Sequence, residues 1–383
     1  MRILHFAQNV AGGISSYFDE IAQHQLDRYG PGNVVFLMPD RDVANLSRVP
    51  HECVRTFDCV ERTPGDFWKL AKLVRRVTAE FEPDIIHLHS TFAGTIFRAV
   101  IPFLRRRPKV VYCPHGWAFA REQSAKASYV YAQLESLMMR WTDVCINISE
   151  NEARLAAAHG VPLDKCVTVQ NGIAAELGPR VPLVLRGSDE RTGIRLLFVG
   201  RHDPQKGIDI LLRAMQLVKR PELYLDVAGA SVVSKATVDH LVTRPNVTLF
   251  GHVTRSQVQG LMEACDAIVV PSRWEGFGLV VLEAMRVGKP AIVSPNGALP
   301  DLVEDGVTGF IARDMAPAGL AALLDSLDRT TLARMGEAAE RRFHARYTSD
   351  RMNAGIDEIY RRLVPAAFPV APVPQSAPNK SRV

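Results

Sequence analysis

Short apolar runs alternate with stretches of helical period along most of the chain, and this constrains the fold more than any other feature. Runs that are apolar on both faces read as strands of a parallel sheet whose two sides are covered by helices. The first series is "RILHFA", "NVVFLM", "DIIHLH", "KVVYCP", "DVCINIS" and "CVTVQN", with helices predicted over Ser15–Tyr29, Asp66–Phe81 and about Gln123–Trp141. A break follows "NGI". Residues Ala174–Thr192, rich in Pro, Gly, Arg and acidic residues without a clear period, read as a linker. A second series follows: "IRLLFVG", "LYLDVAG", "VTLFG", "AIVVPS", "PAIVS" and "GFIA". The expectation is therefore an α/β protein of two doubly wound domains, residues 1–180 and 181–345, facing each other across a cleft. The 383 residues suit two such domains. A last helix within 346–363, Ser349–Leu363, is expected to pack across the junction, and the Pro-rich tail 364–383 to be disordered.

Composition narrows the function classes. Hydrophobic residues make up 47% and charged residues 23%, as in soluble globular proteins. No apolar run approaches the roughly 18–20 residues of a membrane span, and the apolar start is too short for a signal peptide. Cys53, Cys59, Cys113, Cys145, Cys166 and Cys265 form no CxxC pair, which points to a reducing cytoplasm and away from a structural metal. A net charge of +5 is too mild for a nucleic-acid binder. Basic residues do cluster, at Lys69, Lys72, Arg75 and Arg76, and again at Arg98, Arg105, Arg106, Arg107 and Lys109. Two readings stand: solvated faces, or a surface for anionic membrane.

The stretch "PSRWEGFGLVVLEAM" carries the strongest chemical signal. A strand ends at Pro271–Ser272, a glycine turn follows, and an almost wholly apolar helix runs to Val287. Its start offers unpaired N–H groups and the positive end of the helix dipole, and Gly276 and Gly278 let an anion come close. Glu283, inside that helix, wants hydrogen-bond donors, which the hydroxyls of a ribose would supply. Glu275, at the mouth, could hold hydroxyls of a sugar beyond a diphosphate. The competing reading pairs Glu283 with Arg286 or Arg273 and makes Glu275 a turn residue. Arg201 and Lys206, after the first strand of the second series, suit two phosphates. Gly12–Gly13 forms a second strand–glycine–helix anion site that matches neither GxGxxG nor GxxxxGK[ST].

Together these segments resemble the retaining glycosyltransferases of the GT-B fold, specifically glycosyltransferase family 4, over roughly residues 1–363. The carriers are "GGISSYFDEIA", "PDIIHLHS", "CPHGW", "INISENEARLAAAHGV", "VTVQNGI", "VGRHDPQKGIDILLRAM", the run from "LFGHVTRSQ" to "GKPAIVS", and "LPDLVEDGVTGFI". The resemblance implies that Glu275 and Glu283 end an E-x7-E motif, Glu275 on the donor sugar and Glu283 on the ribose. It implies that backbone N–H groups of Phe277, Gly278, Leu279 and Val280 serve sugar and diphosphate, and that Arg201 and Lys206 bind phosphate. It places Gly13 over the diphosphate, His115 near the donor sugar, and the base near Gly251, His252 and Val253. Departures from the family pattern are Trp117 after His115–Gly116, Asn296–Ala298 around Gly297, and Asp301 where glutamate is common.

The implied activity is a metal-independent, retaining hexosyl transfer from a UDP- or GDP-sugar to a hydroxyl of a glycan or lipid-linked glycan. The expected setting is bacterial surface polysaccharide or lipopolysaccharide assembly, in the cytoplasm or peripherally on the inner membrane face, with no separate cofactor. A nucleotide-sugar epimerase and a non-catalytic sugar-nucleotide-binding assembly protein are the alternatives. The one DxD string, Asp40–Asp42, is expected to be a surface loop rather than a metal site.

Overall fold

A computed structural model describes residues 1–10, 12–58, 63–120, 124–178, 193–230, 241–242 and 244–367. The first sheet contains β1 (Ile3–Ala7), β2 (Val34–Pro39), β3 (Val54–Phe57), β4 (Ile85–His89), β5 (Lys109–Cys113), β6 (Val144–Asn147) and β7 (Cys166–Thr168). The second contains β8 (Ile194–Val199), β9 (Leu223–Ala228), β10 (Val247–Gly251), β11 (Ala267–Val270), β12 (Ala291–Val293) and β13 (Gly309–Ile311). Spatial orders are β3-β2-β1-β4-β5-β6-β7 and β10-β9-β8-β11-β12-β13, and every pairing is parallel. β1, β2 and β4 are buried at every position, so their unbroken apolar runs meet helices on both faces. In each sheet the chain first winds one way and then reverses, between β1 and β4 and between β8 and β11. Crevices open at such reversals, beyond the carboxyl ends of the strands. The loops carrying Gly12–Gly13, Arg201 and Glu275 follow β1, β8 and β11.

The expected strands are all present. The extra one, β3, is an edge strand with two exposed positions, so no continuous apolar run announces it. The first domain's helices are α1 (Gly13–Tyr29), α2 (Pro64–Phe81), α3 (Thr91–Val100), α4 (Ala125–Met138) and α5 (Glu150–Ala158). The second domain has α6 (Ile208–Leu217), α7 (Arg255–Ala264), α8 (Leu279–Arg286), α9 (Leu299–Leu302), α10 (Pro317–Asp325) and α11 (Arg329–Arg346). The chain then turns at Thr348 and returns as α12 (Ser349–Leu363), which packs on α1 of the first domain. Asp357 there takes His24 at 2.8 Å and the Tyr29 hydroxyl at 2.7 Å. Beside the turn, Ile173 and Thr348 form a bridge, with Ser349 N–H on the Ile173 carbonyl at 2.8 Å. One apolar cluster runs through both domains, from Ile3 and Phe18 to Val281, Tyr347 and Tyr360. Of the expected tail, Pro365–Ala367 is a 3-10 turn rather than disordered, because it continues directly from α12. Residues 368–383, the linker positions 179–192 and Cys59 lie outside the described residues.

One basic residue departs from the surface reading. Arg98 is fully buried: its guanidinium meets Glu135 at 2.7 Å and the Gly94 carbonyl at 3.0 Å, and lies 4.1 Å from the Tyr112 ring centre. The Tyr112 hydroxyl donates to the other Glu135 oxygen at 2.8 Å. Apolar spacing on α3 turns Arg98 inward, and the buried charge persists because every partner is in place. Glu135→Leu strands that charge and is expected to cost about 3–5 kcal/mol in urea unfolding, of which the double variant Arg98→Met/Glu135→Leu recovers most.

Candidate active site

The loop after β11 is braced from several sides. The Arg273 guanidinium holds both oxygens of Asp209 at 2.9 Å each and the Pro204 carbonyl at 2.7 Å. Arg273 is therefore not the partner of Glu283. The Glu275 carbonyl accepts the Ala298 N–H at 3.2 Å, and a Cβ on Gly297 would fall 2.1 Å from that oxygen. Only glycine fits there, so Gly297 fixes the Glu275 backbone. The Glu275 carboxylate then meets Lys206 Nζ at 2.5 Å and the Ser272 hydroxyl at 3.4 Å. Arg201 is more exposed and turns to Asp203 at 3.1 Å and Gln205 at 3.3 Å.

Two helices begin at this place, and each starts on glycine. Gly278, with φ 102°, precedes α8, and Gly12, with φ 62°, precedes α1; no side chain caps either start. A Cβ on Gly13 would stand 4.0 Å from Leu279 Cδ1, so the first residues of the two helices are neighbours across the cleft. Phe277 is buried, while Leu279 and Val280 are half-buried. The Gly12–Gly13 loop is held through Val10, whose N–H donates to Asp42 at 2.8 Å and whose carbonyl accepts from Asn45 at 3.0 Å. This corrects the surface-loop reading of Asp40–Asp42. Asp40 is exposed, but Asp42 is buried and anchors the glycine loop.

Two cavities lie along this segment, one before α8 and one beside its later turns. One, of about 700 Å³, lies between the domains and is lined by His115, Gly116, Asn151, Trp274, Glu275 and Gly276, among others. The second, of about 430 Å³, holds Glu283 together with Glu20, Arg48, Val253, Arg255 and Arg286. The two glutamates of the motif thus open into different spaces. Burial raises the Glu283 carboxyl above its ordinary value, with Arg286 and Arg255 opposing and Glu20 adding to the rise. Arg286 lies near but spends its hydrogen bonds on the carbonyls of Ala174, at 2.9 Å, and Glu176. Among the described residues no hydrogen bond to the Glu283 carboxylate is found. Arg255 reaches across the cleft to Asp19 at 3.0 Å. Of the three residues assigned to the base, Val253 lines this cavity, His252 is exposed, and Gly251 closes β10, where its carbonyl accepts from Gly229. Arg201 lines neither cavity.

His115 occupies the left-handed region, φ 51°, where a non-glycine residue is strained. Glu152 supports that loop: its carboxylate accepts the Gly116 N–H and, at 2.9 Å, the Ile148 N–H. Burial pushes the Glu152 carboxyl up to about 7, against those two donors. Nε2 of His115 meets His89 Nδ1 at 2.9 Å. Burial lowers the His115 imidazole to about 3. Asp301, in the second domain, accepts from Asn151 N–H and Arg154 of the first, at 2.8 Å each. Sequence reading missed Glu152, Asp19 and Arg255 and placed Asp42 on the surface. Only Glu152 carries a local signal, Ser149 three residues before it, whose hydroxyl accepts the Glu152 N–H at 3.1 Å.

Comparisons with known proteins agree with this geometry. The model "Glycosyltransferase Family 4" matches residues 11–177, and "Glycosyl transferases group 1" matches 188–342. An uncharacterized 41.2 kDa protein in the cps region of Klebsiella pneumoniae is 27% identical over 81% of this chain and 86% of its own length. A D-inositol 3-phosphate glycosyltransferase of Mycolicibacterium gilvum is 29% identical over 80% of this chain and 72% of its own. Among solved structures, Anabaena HepE in complex with UDP and glucose superposes with a TM-score of 0.78 at 21% identity, covering 94% of this chain and 99% of that one. Two facing doubly wound domains, and family matches that between them take in most of both, identify the chain as a GT-B glycosyltransferase of family 4.

Proposed function

We propose that the chain is a retaining hexosyltransferase that takes its sugar from a nucleoside diphosphate sugar. The observation that carries this reading is the pair of cavities, each with one motif glutamate, together with two neighbouring helices that start on glycine. The diphosphate lies between the starts of α1 and α8, where N–H groups and both helix dipoles favour an anion. Glu283 takes the ribose hydroxyls, and Glu275 the hexose hydroxyls. Lys206, already on Glu275, and Arg201 meet the charge that grows on the departing diphosphate, without a metal. UDP is the first nucleotide to test, since HepE is known in complex with UDP and glucose. The acceptor enters the interdomain cavity beside Trp274 and His115. Its oxygen bonds to the anomeric carbon on the face the phosphate leaves, the carbon–phosphate oxygen bond breaks, and the acceptor proton passes to the departing phosphate. The protein contributes position and charge stabilisation.

The acceptor is a glycan or lipid-linked glycan at the inner face of the cytoplasmic membrane, in surface polysaccharide or lipopolysaccharide assembly. The cps-region relative supports this setting. So does a groove of about 780 Å³ that unites the two basic segments, with Lys72, Arg75 and Arg76 of α2 facing Arg105 and Arg106. Phe103 beside it and Trp68 nearby in sequence on α2 are exposed, a pairing of cations and aromatics that suits a lipid surface. Lys69 extends the basic face of α2, and Arg107 pairs with Asp143. No helix among the described residues is long and apolar enough to cross a membrane.

A thermal-shift panel of UDP, GDP, ADP and their glucose conjugates tests the donor. The matching nucleotide at about 100 times Kd adds ~2.7 kcal/mol of stability. Glu283→Ala weakens that nucleotide by roughly 10–100-fold, the worth of charge-assisted hydrogen bonds. Glu275→Ala lowers kcat while nucleotide affinity stays near wild type, and equal turnover in that variant removes Glu275 from the site. Release of nucleotide only with acceptor present separates transfer from epimerisation and from binding alone. Vesicles containing anionic lipid are expected to sediment the protein at low salt and release it at high salt. Replacing Arg75, Arg76, Arg105 and Arg106 by Gln abolishes this, and equal binding to neutral vesicles sinks the membrane assignment.

A further inference from the structure

Behind His115 lies a file of buried histidines that the transfer reaction does not account for. His5 on β1 and His87 on β4 are register partners, and His89 stands two residues on, so alternation puts all three on one face of the sheet. His5, His87 and His89 are completely buried. The hydrogen bonds run in a line: His115 Nε2 to His89 Nδ1 at 2.9 Å, His89 Nε2 to His5 Nδ1 at 3.0 Å, and His5 Nε2 to Gln25 Oε1 at 2.7 Å. The Gln25 side chain also lies beside the hydroxyl of Tyr360 on α12, which meets His87 Nδ1 at 2.8 Å.

The cluster also has the spacing of a metal nest, since His5, His87 and His89 each offer a nitrogen within 4.8 Å of the others. Ring geometry argues against one. Centroids of His5 and His89 are 5.3 Å apart and those of His89 and His115 5.2 Å, with ring planes tilted by only 26° and 23°. Each separation exceeds its nitrogen–nitrogen distance by one ring diameter. The bonded nitrogens therefore point straight at each other, as a hydrogen bond requires. Metal ligands would aim their lone pairs at a third point between them.

We propose that Gln25 and Tyr360 act as positioning residues that fix the tautomer of His115 through His89 and His5, so that His115 presents a bare Nδ1 to the donor sugar. A neutral imidazole has one N–H and one lone pair, and each contact in the file needs one of each. Choosing one end of such a file sets every ring in it. Gln25 offers its oxygen to His5, so His5 carries its proton on Nε2, His89 on Nε2, and His115 on Nε2. The Gln25 amide NH2 donates to the Tyr360 oxygen, whose own proton goes to His87, and this holds the amide in that orientation. Burial keeps the file neutral: it lowers His5 to about 4, with Gln25 opposing, and His87 and His89 well below the ordinary value. Nδ1 of His115 is left to accept a hydroxyl of the sugar. This consequence rests on the donor-site reading above; the tautomer itself does not.

Nitrogen-15 NMR of histidine-labelled full-length protein, without donor, reads each ring nitrogen directly. The chain has 11 histidines, and loss of one signal set in His115→Gln assigns the position. The expected spectrum shows His115 with protonated Nε2 and bare Nδ1. Gln25→Met, which can neither donate nor accept a strong hydrogen bond, turns this into a mixture of tautomers. Tyr360→Phe keeps the buried ring but frees the amide, and gives the same mixture if Gln25→Met does not fold. A wild-type spectrum with protonated Nδ1 overturns the proposal. So does an unchanged His115 tautomer in either folded variant. None of these readings uses a sugar nucleotide, so failure of the transferase assignment would appear in the nucleotide panel and leave the spectrum untouched.

Discussion

Two helices that start on glycine and share one small space constrain everything around them. A helix start presents backbone N–H groups without intrahelical partners, and a side-chain cap usually meets one of them. α1 and α8 have no such cap, and their first residues, Gly13 and Leu279, are neighbours. The positive ends of their dipoles then converge on the same point, which favours negative charge there. The rest of the site answers that constraint. Asp42 and Asn45 hold the loop before α1, Gly297 and Ala298 hold the loop before α8, and the two carboxylates of the motif open into separate cavities.

Much of this was legible in the sequence, for a physical reason. Parallel strands buried on both faces leave unbroken apolar runs, and glycines at helix starts mark where an anion can approach. The motif from Glu275 to Glu283 lies within one strand–turn–helix unit, so its local geometry follows from its own residues. What stayed hidden depends on neighbours distant in the chain. Arg273 could be read as a partner of Glu283 until Asp209 was seen to hold both arms of its guanidinium. Arg98 looked like one member of a basic surface, and only the packing of α3 against α4 shows its charge answered inside. Asp42 reads as part of a surface loop until Val10 is brought beside it.

The histidine file belongs to the same category. "DIIHLH" announces a strand, and its alternation puts His87 and His89 on one face. The register of β1 against β4 brings His5 to them, and the return of α12 brings Tyr360. Neither of these is written in any local segment. A helix that follows the second domain in sequence thus completes the interior of the first, and residues with no access to the cleft come to bear on a histidine that lines it.

That return has a mechanical side. The chain passes between the domains near Ile173 and again near Thr348, and the two passages are bonded side by side. Gly172 is packed so tightly there that a Cβ would come within 2.3 Å of the Thr348 carbonyl oxygen. Bodies stitched together along one seam can swing like the covers of a book but cannot slide past one another. Two ion pairs cross between the domains close to this seam: Asp301, whose carbonyl accepts the Tyr347 hydroxyl at 3.4 Å, meets Arg154, and Asp19 meets Arg255, which lines the same cavity as Ile173. A larger residue at Gly172 would wedge the seam and misalign both ion pairs at once, though neither lies near it in sequence.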